Sequence, residues 1–589
     1  MSDRTSTSVP NEAAAAPGVG GFTHRQVLTI LTGLMLGMFL AALDQNIVAT
    51  AIRTIGDDLH GLSVQAWVTT AYLITSTVST PLYGKLSDLY GRKPFFLIAI
   101  TIFITGSAAC AFSTSMYMLA AFRAYQGLGA GGLFSLALAI IGDIVSPRDR
   151  AKYQGYFLAV FGTSSVLGPV LGGFFAGSSS ILTITGWRWV FLVNVPIGIV
   201  ALYVVWRTLN LPNTHRPAQI DWVGVGALFI CLVPLLVVAE QGQKWGWGSG
   251  TSLLCYALGI AGLILFILAE RRMGDDALIP LRFFQNQVFS LTSIVGVVVG
   301  MGLFGGISVL PLYLQIVRGV SPTQSGLLLL PLTAGLMIGA IISGQLISRT
   351  GRYKIYPVVG SLLCVIALVL MSFIGADTPL WQTDIYGGIF GLGIGNIMQP
   401  ITLATQNAMP ARDIGVATSS ATFFRQMGGT LGVAVFLSVL FSTVGHNIGS
   451  AYATAGKSSA FQAVASSPAV TSDPGNKPLL TILKGQKLPA ANLNDTSFLK
   501  HADKRLAHPF FVGFSNSMDV IFLLAAAVMF IGFVLLLYVK ELPLRTMSGI
   551  QAQHADAKEA RERDAAAAAL DTGQDAETSG DPGVDATPT

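Results

Sequence analysis

Long apolar runs with almost no charge recur along this 589-residue chain, and they constrain its fold more than any other feature. A helix of about 20 apolar residues spans the ~30 Å hydrocarbon core of a bilayer. Any open strand or loop there would leave backbone polar groups unpaired. Fourteen runs fit, at about 27–51, 64–83, 95–114, 116–141, 153–176, 189–208, 219–239, 251–269, 288–316, 324–347, 355–375, 384–405, 414–442 and 517–539. The expected fold class is an all-α membrane protein. Charged residues are only 11% of the chain, against about a quarter in soluble proteins.

Lys and Arg are unevenly shared between the two sets of connecting loops. One set holds Lys85, Arg92, Lys93, Arg148, Arg150, Lys152, Arg207, Arg216, Arg271, Arg272, Arg282, Arg349, Arg352, Lys354 and Arg412, fifteen in all; the other holds only Arg53, Arg188, Lys244 and Arg318. Positive loops stay in the cytoplasm. The expectation is a multi-pass protein of the cell membrane with both termini cytoplasmic. Residues 1–26 and 548–589 are expected to be disordered cytoplasmic tails. Residues 443–516 form an external insertion that is either a local cap or a loose loop, and it would suit handover to an outside partner. The net charge of +5 is spread over loops, which argues against nucleic acid as a partner. Cys110, Cys231, Cys255 and Cys364 lie in apolar runs without metal-ligand spacing. No cofactor and no metal are expected.

A short pattern repeats. Gly84-Lys85-Leu86-Ser87-Asp88-Leu89-Tyr90-Gly91-Arg92-Lys93 follows the second run, and Gly344, Gly351 and Arg352 recur at the same offsets after the tenth, with Ser348 in place of Asp88. A duplicated half-transporter leaves such a trace. Asp88 can accept from Arg92 or from a neighbouring helix N-terminus, forming a latch of Gly84, Asp88, Gly91 and Arg92. The alternative is a loop that only sets topology.

Charges inside the runs single out candidate sites. Asp44 and Arg123 are each the lone formal charge of a run. Placing such a charge near mid-membrane costs about 2.5–3.5 kcal/mol on insertion scales. They are read as a proton site and its partner, with a structural cation as the alternative for Arg123. Gln126 shares the Arg123 face at helical spacing, among glycines that admit a neighbouring helix. Arg425, in the thirteenth run, has no acid in its own run, so its partner must be another helix, a carbonyl or a substrate. Asn46, Gln126, Gln399 and Arg425 are candidates for substrate contact or gating. The mid-run sequence Gly162-Thr163-Ser164-Ser165-Val166-Leu167-Gly168-Pro169-Val170-Leu171-Gly172-Gly173 predicts a bent, closely packed helix.

On these residues the chain resembles the fourteen-span drug:proton antiporters of the major facilitator superfamily, over about 25–545. Gly84–Lys93 is similar to that superfamily's loop signature, Arg123–Gly131 to its fourth-span signature associated with proton transfer, and Gly162–Gly173 to its fifth-span antiporter signature, carried by Gly162, Gly168, Pro169, Gly172 and Gly173. Leu43-Asp44-Gln45-Asn46-Ile47-Val48 and the stretch from Trp187-Arg188-Trp189 to Asn194-Val195-Pro196 also resemble the fourteen-span group. Asn46 and Arg53 depart from it, standing where Thr and Pro are usual. The resemblance implies two six-helix bundles, 27–208 and 288–539, separated by two extra helices at 219–269, with alternating access around a midplane cavity.

The implied function is efflux of lipophilic or cationic drugs and related amphipathic compounds, driven by protons. Its partners are the small-molecule substrate, protons and the lipid bilayer. A dedicated exporter of a native lipid or secondary metabolite fits the same features; an importer fits the fifth-span signature less well. No P-loop, HExxH or GxSxG pattern occurs, so an enzyme or an ATP-driven pump is not expected.

Overall fold

In a computed structural model, described for residues 23–60, 65–211, 219–483, 497–500 and 502–553 with 555, 558, 559 and 562, the chain is almost wholly helical. Fourteen helices of fifteen or more residues lie among the described residues: α1 His24–Asp58, α2 Gln65–Tyr90, α3 Arg92–Ala111, α4 Met116–Ile144, α5 Pro147–Gly177, α6 Asn194–Thr208, α7 Trp222–Trp245, α8 Gly250–Met273, α9 Gln287–Leu312, α10 Leu330–Thr350, α11 Ile355–Met371, α12 Leu380–Ala408, α13 Ile414–Ala455 and α14 Lys504–Tyr538. Each of the fourteen apolar runs falls on one of them. A two-residue hairpin, Ser180–Ile181 against Ile184–Thr185, is the sheet among the described residues.

Over the described residues ten of these segments are long and apolar enough to cross a membrane; α2, α11 and α12 do not reach that standard, and α9 shows a shorter apolar stretch, Gln287–Leu303. In α2 and α12 the reason is polar content. Thr70, Ser76, Thr77, Ser79 and Thr80 of α2 are buried, as are Asn396, Gln399, Thr402, Thr405 and Gln406 of α12. These side chains sit between helices, so they lower the apolar content without meeting lipid. In α11 the limit is its length of 17 residues.

Two cores hold the helices together. One joins α1–α6 through residues from Val27 to Leu209, and the other joins α9–α14 from Val288 to Val539. We call these the first and second halves. The hairpin of α7 and α8 packs Leu228, Cys231, Leu232 and Leu236 against Ile74 and Val78 of α2 and Phe423 of α13, bridging the halves.

The 443–516 segment is largely helical where it is described. At 42 residues, α13 is about 63 Å long at 1.5 Å per residue, roughly twice a bilayer core. It runs on to Ala455, beside an α14 that already begins at Lys504. Val444, Ile448 and Tyr452, spaced by four, bury one stripe of this extension, and the Tyr452 hydroxyl donates to Leu506 O at 2.8 Å. Short helices at Ser459–Ala465 and Lys477–Leu483 fold over it, burying Leu479 and Ile482. Asp503 caps α14 through Arg505 N at 2.8 Å, and its hydrogen bonds to Arg505 hold its carboxyl below the usual range. Residues 484–496 of this segment lie outside the described residues, as do 1–22 of the expected first tail.

Of the expected tail 548–589, residues 549–553 are helical, and most of the rest lies outside the described residues. The stretch leading into it is a strap. The Glu541 carboxylate accepts from Tyr353 N and Lys354 N. Asn407 grips Pro543 O and Arg545 N at 3.1 Å each. Ile550 is buried in the core of the first half, and Gln553 Nε2 donates to Ala411 O at 3.0 Å.

Candidate functional site

Asp44 lies at the centre of a sealed polar cluster built by four helices of the first half, α1, α2, α4 and α6. Small residues let those helices converge: a methyl on Gly127 of α4 would overlap Tyr72 O and Thr75 Oγ1 of α2, so no larger residue fits there. The close approach brings Arg123 of α4 onto Asp44 of α1, where its NH1 donates to Asp44 Oδ2. Gln126 Nε2 donates to Asp44 Oδ1 at 3.0 Å, and Asn194 Nδ2 from α6 donates to the same oxygen at 2.8 Å. Both Asp44 oxygens thus face donors. Arg123 also donates to Gln126 Oε1 at 2.8 Å and from Nε to Val68 O at 3.4 Å, and its guanidinium lies 4.0 Å from the Tyr72 ring centre. Asp44, Arg123, Gln126 and Asn194 are at most 1% exposed.

Neither Asn194, named above only in a stretch that resembles the fourteen-span group, nor Tyr72 was a candidate site residue from sequence. Asn194 had a readable signal, an amide inside an apolar run two residues before Pro196. Tyr72 had none, since a tyrosine in an apolar helix reads as packing. Gln126, a candidate for substrate contact, is placed in the Asp44 cluster instead.

The loop signature sits at the Lys/Arg-rich end, between the halves. Asp88 Oδ1 pairs with Arg92 NH2 at 2.5 Å, while Asp88 Oδ2 accepts from Val416 N at 2.8 Å. Val416 is in the first turn of α13, whose own N-cap residue Asp413 makes no side-chain cap. The carboxylate of one half therefore caps a helix of the other. Arg92 also donates to Asp143 Oδ2 at 2.6 Å and to Ser87 Oγ at 2.6 Å. Asp143, at the end of α4, was missed from sequence because it lies two residues past an apolar run and matches no motif. Gly84 permits the seam, since a side chain there would overlap Ser419. Gly91 takes φ 99°, a conformation that favours glycine, as the cap of α3.

The second copy of the motif holds the halves together differently. Ser348 turns its hydroxyl to Gln345 O of its own helix, at 2.8 Å. Its carbonyl accepts from Arg148 Nε of α5 at 3.0 Å, and Arg349 O accepts from Arg148 NH2 at 3.3 Å. An acid meets a helix N-terminus at one seam and a cation meets a helix C-terminus at the other, both in favourable dipole orientation. Between them, Arg150 NH1 donates to Gln406 Oε1 across the halves, and Gln406 Nε2 donates to Leu138 O at 3.2 Å. This end is closed.

The signature on α5 runs along both partners of that helix. Gly168 and Gly172 pack on Asn46, Ile47 and Thr50 of α1; Gly162 meets Thr333 and Met337 of the second half, and Pro169 meets Gly326. Gly173 is exposed. Asn46 spends its amide on Ala42 O of its own helix at 2.9 Å. Arg425 and Gln399 are not brought to the Asp44 cluster; they lie on helices of the second half.

A profile of the Major Facilitator Superfamily matches residues 34–433. The chain is 36% identical over 418 residues to the multidrug transporter protein MdtP of Bacillus subtilis (strain 168), covering 71% of this chain and 76% of that one. It is 36% identical over 421 residues to Multidrug resistance protein 3 of the same organism, covering 71% and 80%. With a tetracycline resistance determinant of Streptomyces rimosus it shares 38% over 326 residues, covering 55% and 93%. In fold it is similar to the proton:xylose symporter XylE, with a TM-score of 0.53 at 14% identity over 91% of this chain and 100% of that one. It is also similar to a bacterial homologue of the human lysosomal transporter Spinster, with a TM-score of 0.52 at 18% identity over 89% and 100%. With these relatives, and with a profile that spans most of its length, the chain belongs to the Major Facilitator Superfamily, whose members are transporters rather than enzymes.

Proposed function

We propose that the protein is a proton-motive-force-driven exporter of amphipathic compounds, lipophilic or cationic drugs among them. It works by alternating access across the cell membrane, with fourteen spans and its Lys/Arg-rich end in the cytoplasm. The Asp44 cluster carries this reading. The Asp44 carboxylate accepts three side-chain hydrogen bonds, one of them from the Arg123 guanidinium. A proton arriving there competes with Arg123 for the same carboxylate, which links proton binding to helix rearrangement in the first half. The latch on the same half, with its Asp88 cap on α13, is the contact such a rearrangement would release. The names of the multidrug and tetracycline resistance relatives support export as the direction.

Efflux from cells expressing the chain, measured for a panel of lipophilic cations and lipids with and without a protonophore, tests this. Efflux that stops with the protonophore is the expected result. Efflux indifferent to it contradicts proton coupling, and uptake contradicts export. The paired extensions of α13 and α14 favour a second reading, export of a native lipid handed to an outside partner from the helical cap. Proton-dependent movement of the lipids alone would select it.

A further inference from the structure

Two polar side chains of the second half, Arg425 on α13 and Gln399 on α12, have no hydrogen-bond partner among the described residues. Neither belongs to the sealed, unsatisfied groups, so their polar ends retain access to open space. Arg425 also makes no ion pair among the described residues, and Asp44, an acid of the first half at membrane depth, is already taken by Arg123.

The helix register puts the two at one level. Gln406 Nε2 donates to Thr418 Oγ1 at 2.8 Å, which pins α12 against α13 near the closed end. The two helices are consecutive and run in opposite directions. Seven residues away from that end along each helix come Gln399 and Arg425. Seven residues is about two turns, or roughly 10 Å, so both return to the faces of Gln406 and Thr418. Gln406 reaches across to Leu138 and Arg150 of the first half, so this face looks into the seam. The flanks of α13 are occupied: Gly428 and Gly432 lie on Val297 and Met301 of α9, and Gln426 accepts from Thr80 of α2 at 3.3 Å. Arg425 lies between those flanks, facing the cleft.

A guanidinium held at membrane depth without a counter-ion is costly, and an incoming anion offsets that cost. Its planar fork matches a carboxylate or phosphate with two hydrogen bonds, and the Gln399 amide adds a neutral donor at the same level. We propose that Arg425 and Gln399 form a recognition site for the acidic headgroup of an amphipathic substrate. This rests on the exporter reading only in taking the cleft between the halves as the substrate path.

The test is binding by the purified full chain in nanodiscs of neutral phosphatidylcholine, by titration calorimetry. The probes share one twelve-carbon tail: dodecanoate, its methyl ester, dodecanoyl lysophosphatidate and dodecyltrimethylammonium. Dodecanoate, lysophosphatidate or both should bind at least tenfold tighter than the ester. Preference for lysophosphatidate identifies a lipid headgroup; preference for dodecanoate identifies a free amphipathic acid. Arg425→Gln should erase the preference and leave the ammonium probe's binding no weaker. Arg425→Lys, checked for the wild-type melting temperature, should keep part of it, and Gln399→Leu should weaken it a few-fold. Anionic probes that bind wild type no tighter than the ester, or a preference that survives in Arg425→Gln, overturn the site. Binding is read without a gradient, so absent proton coupling would overturn the exporter mechanism and leave this result standing.

Discussion

At the residue scale, Asp44 and Arg123 form a buried pair, and such pairs behave asymmetrically on mutation. Removing one partner leaves an uncompensated charge and costs about 3–5 kcal/mol, whereas removing both is often close to neutral. Asp44→Asn is expected to reach the membrane with a lowered melting temperature and no pH-gradient-driven transport. Arg123→Gln should lose stability similarly, and the double variant should recover most of it while still not coupling. The double-mutant cycle from thermal unfolding checks this; additive losses would mean that the pair is not a unit. The latch makes a second residue-scale prediction. Asp88→Asn removes the charge that pairs with Arg92 and that favours the N-terminus of α13, although the amide oxygen can still accept from Val416 N. Ser348→Ala removes a hydroxyl that bonds only within its own helix, while Arg148 keeps its carbonyl partners. Asp88→Asn should therefore raise cysteine-labelling rates at the Lys/Arg-rich seam several-fold, and Ser348→Ala should leave them unchanged.

At the scale of elements, the helices were legible because apolar length is a strong signal, but their ends were not. The thirteenth run was read as stopping near 442, where Ala, Ser and Gly take over, yet α13 continues to Ala455. What extends it is the sparse stripe Val444, Ile448 and Tyr452 facing α14. Helical period carries that information where mean apolarity does not. The charges of the Asp44–Arg123 pair were legible in the apolar runs, whereas the convergence of Asn194 on them, the role of Asp143 and the capping of α13 by Asp88 depend on which helices become neighbours. The strap from Glu541 to Gln553 was hidden by the composition of the tail it leads into, although Ile550 is an apolar residue there. Ile550→Ala, or Asn407→Ala at the strap's grip, should release it. Amide exchange across 541–553 should then accelerate at least tenfold while exchange in α14 is unchanged; protection equal to wild type would show that the strap is held by other contacts.

At the scale of the molecule, the two halves meet through contacts of different strength at each seam. The closed end uses charged side chains against helix termini, contacts that can part as a set when helices tilt. The α5 seam, with Gly162 against Thr333 and Met337 and Pro169 against Gly326, is close-packed and carries no charge pair among the described residues, which suits a surface that slides or rocks. An acid sealed inside one half, 1% exposed or less, and proposed above as the proton site, fits a cycle in which that half moves before a proton can exchange. The most direct measurement is transport by the purified chain in proteoliposomes under an imposed pH gradient with the membrane potential clamped at zero. A lipophilic substrate is expected to move uphill against the proton flux, with protons released in a fixed ratio to substrate, and Asp44→Asn to move substrate only downhill. Uphill transport by Asp44→Asn, or wild-type transport insensitive to the gradient, would contradict this.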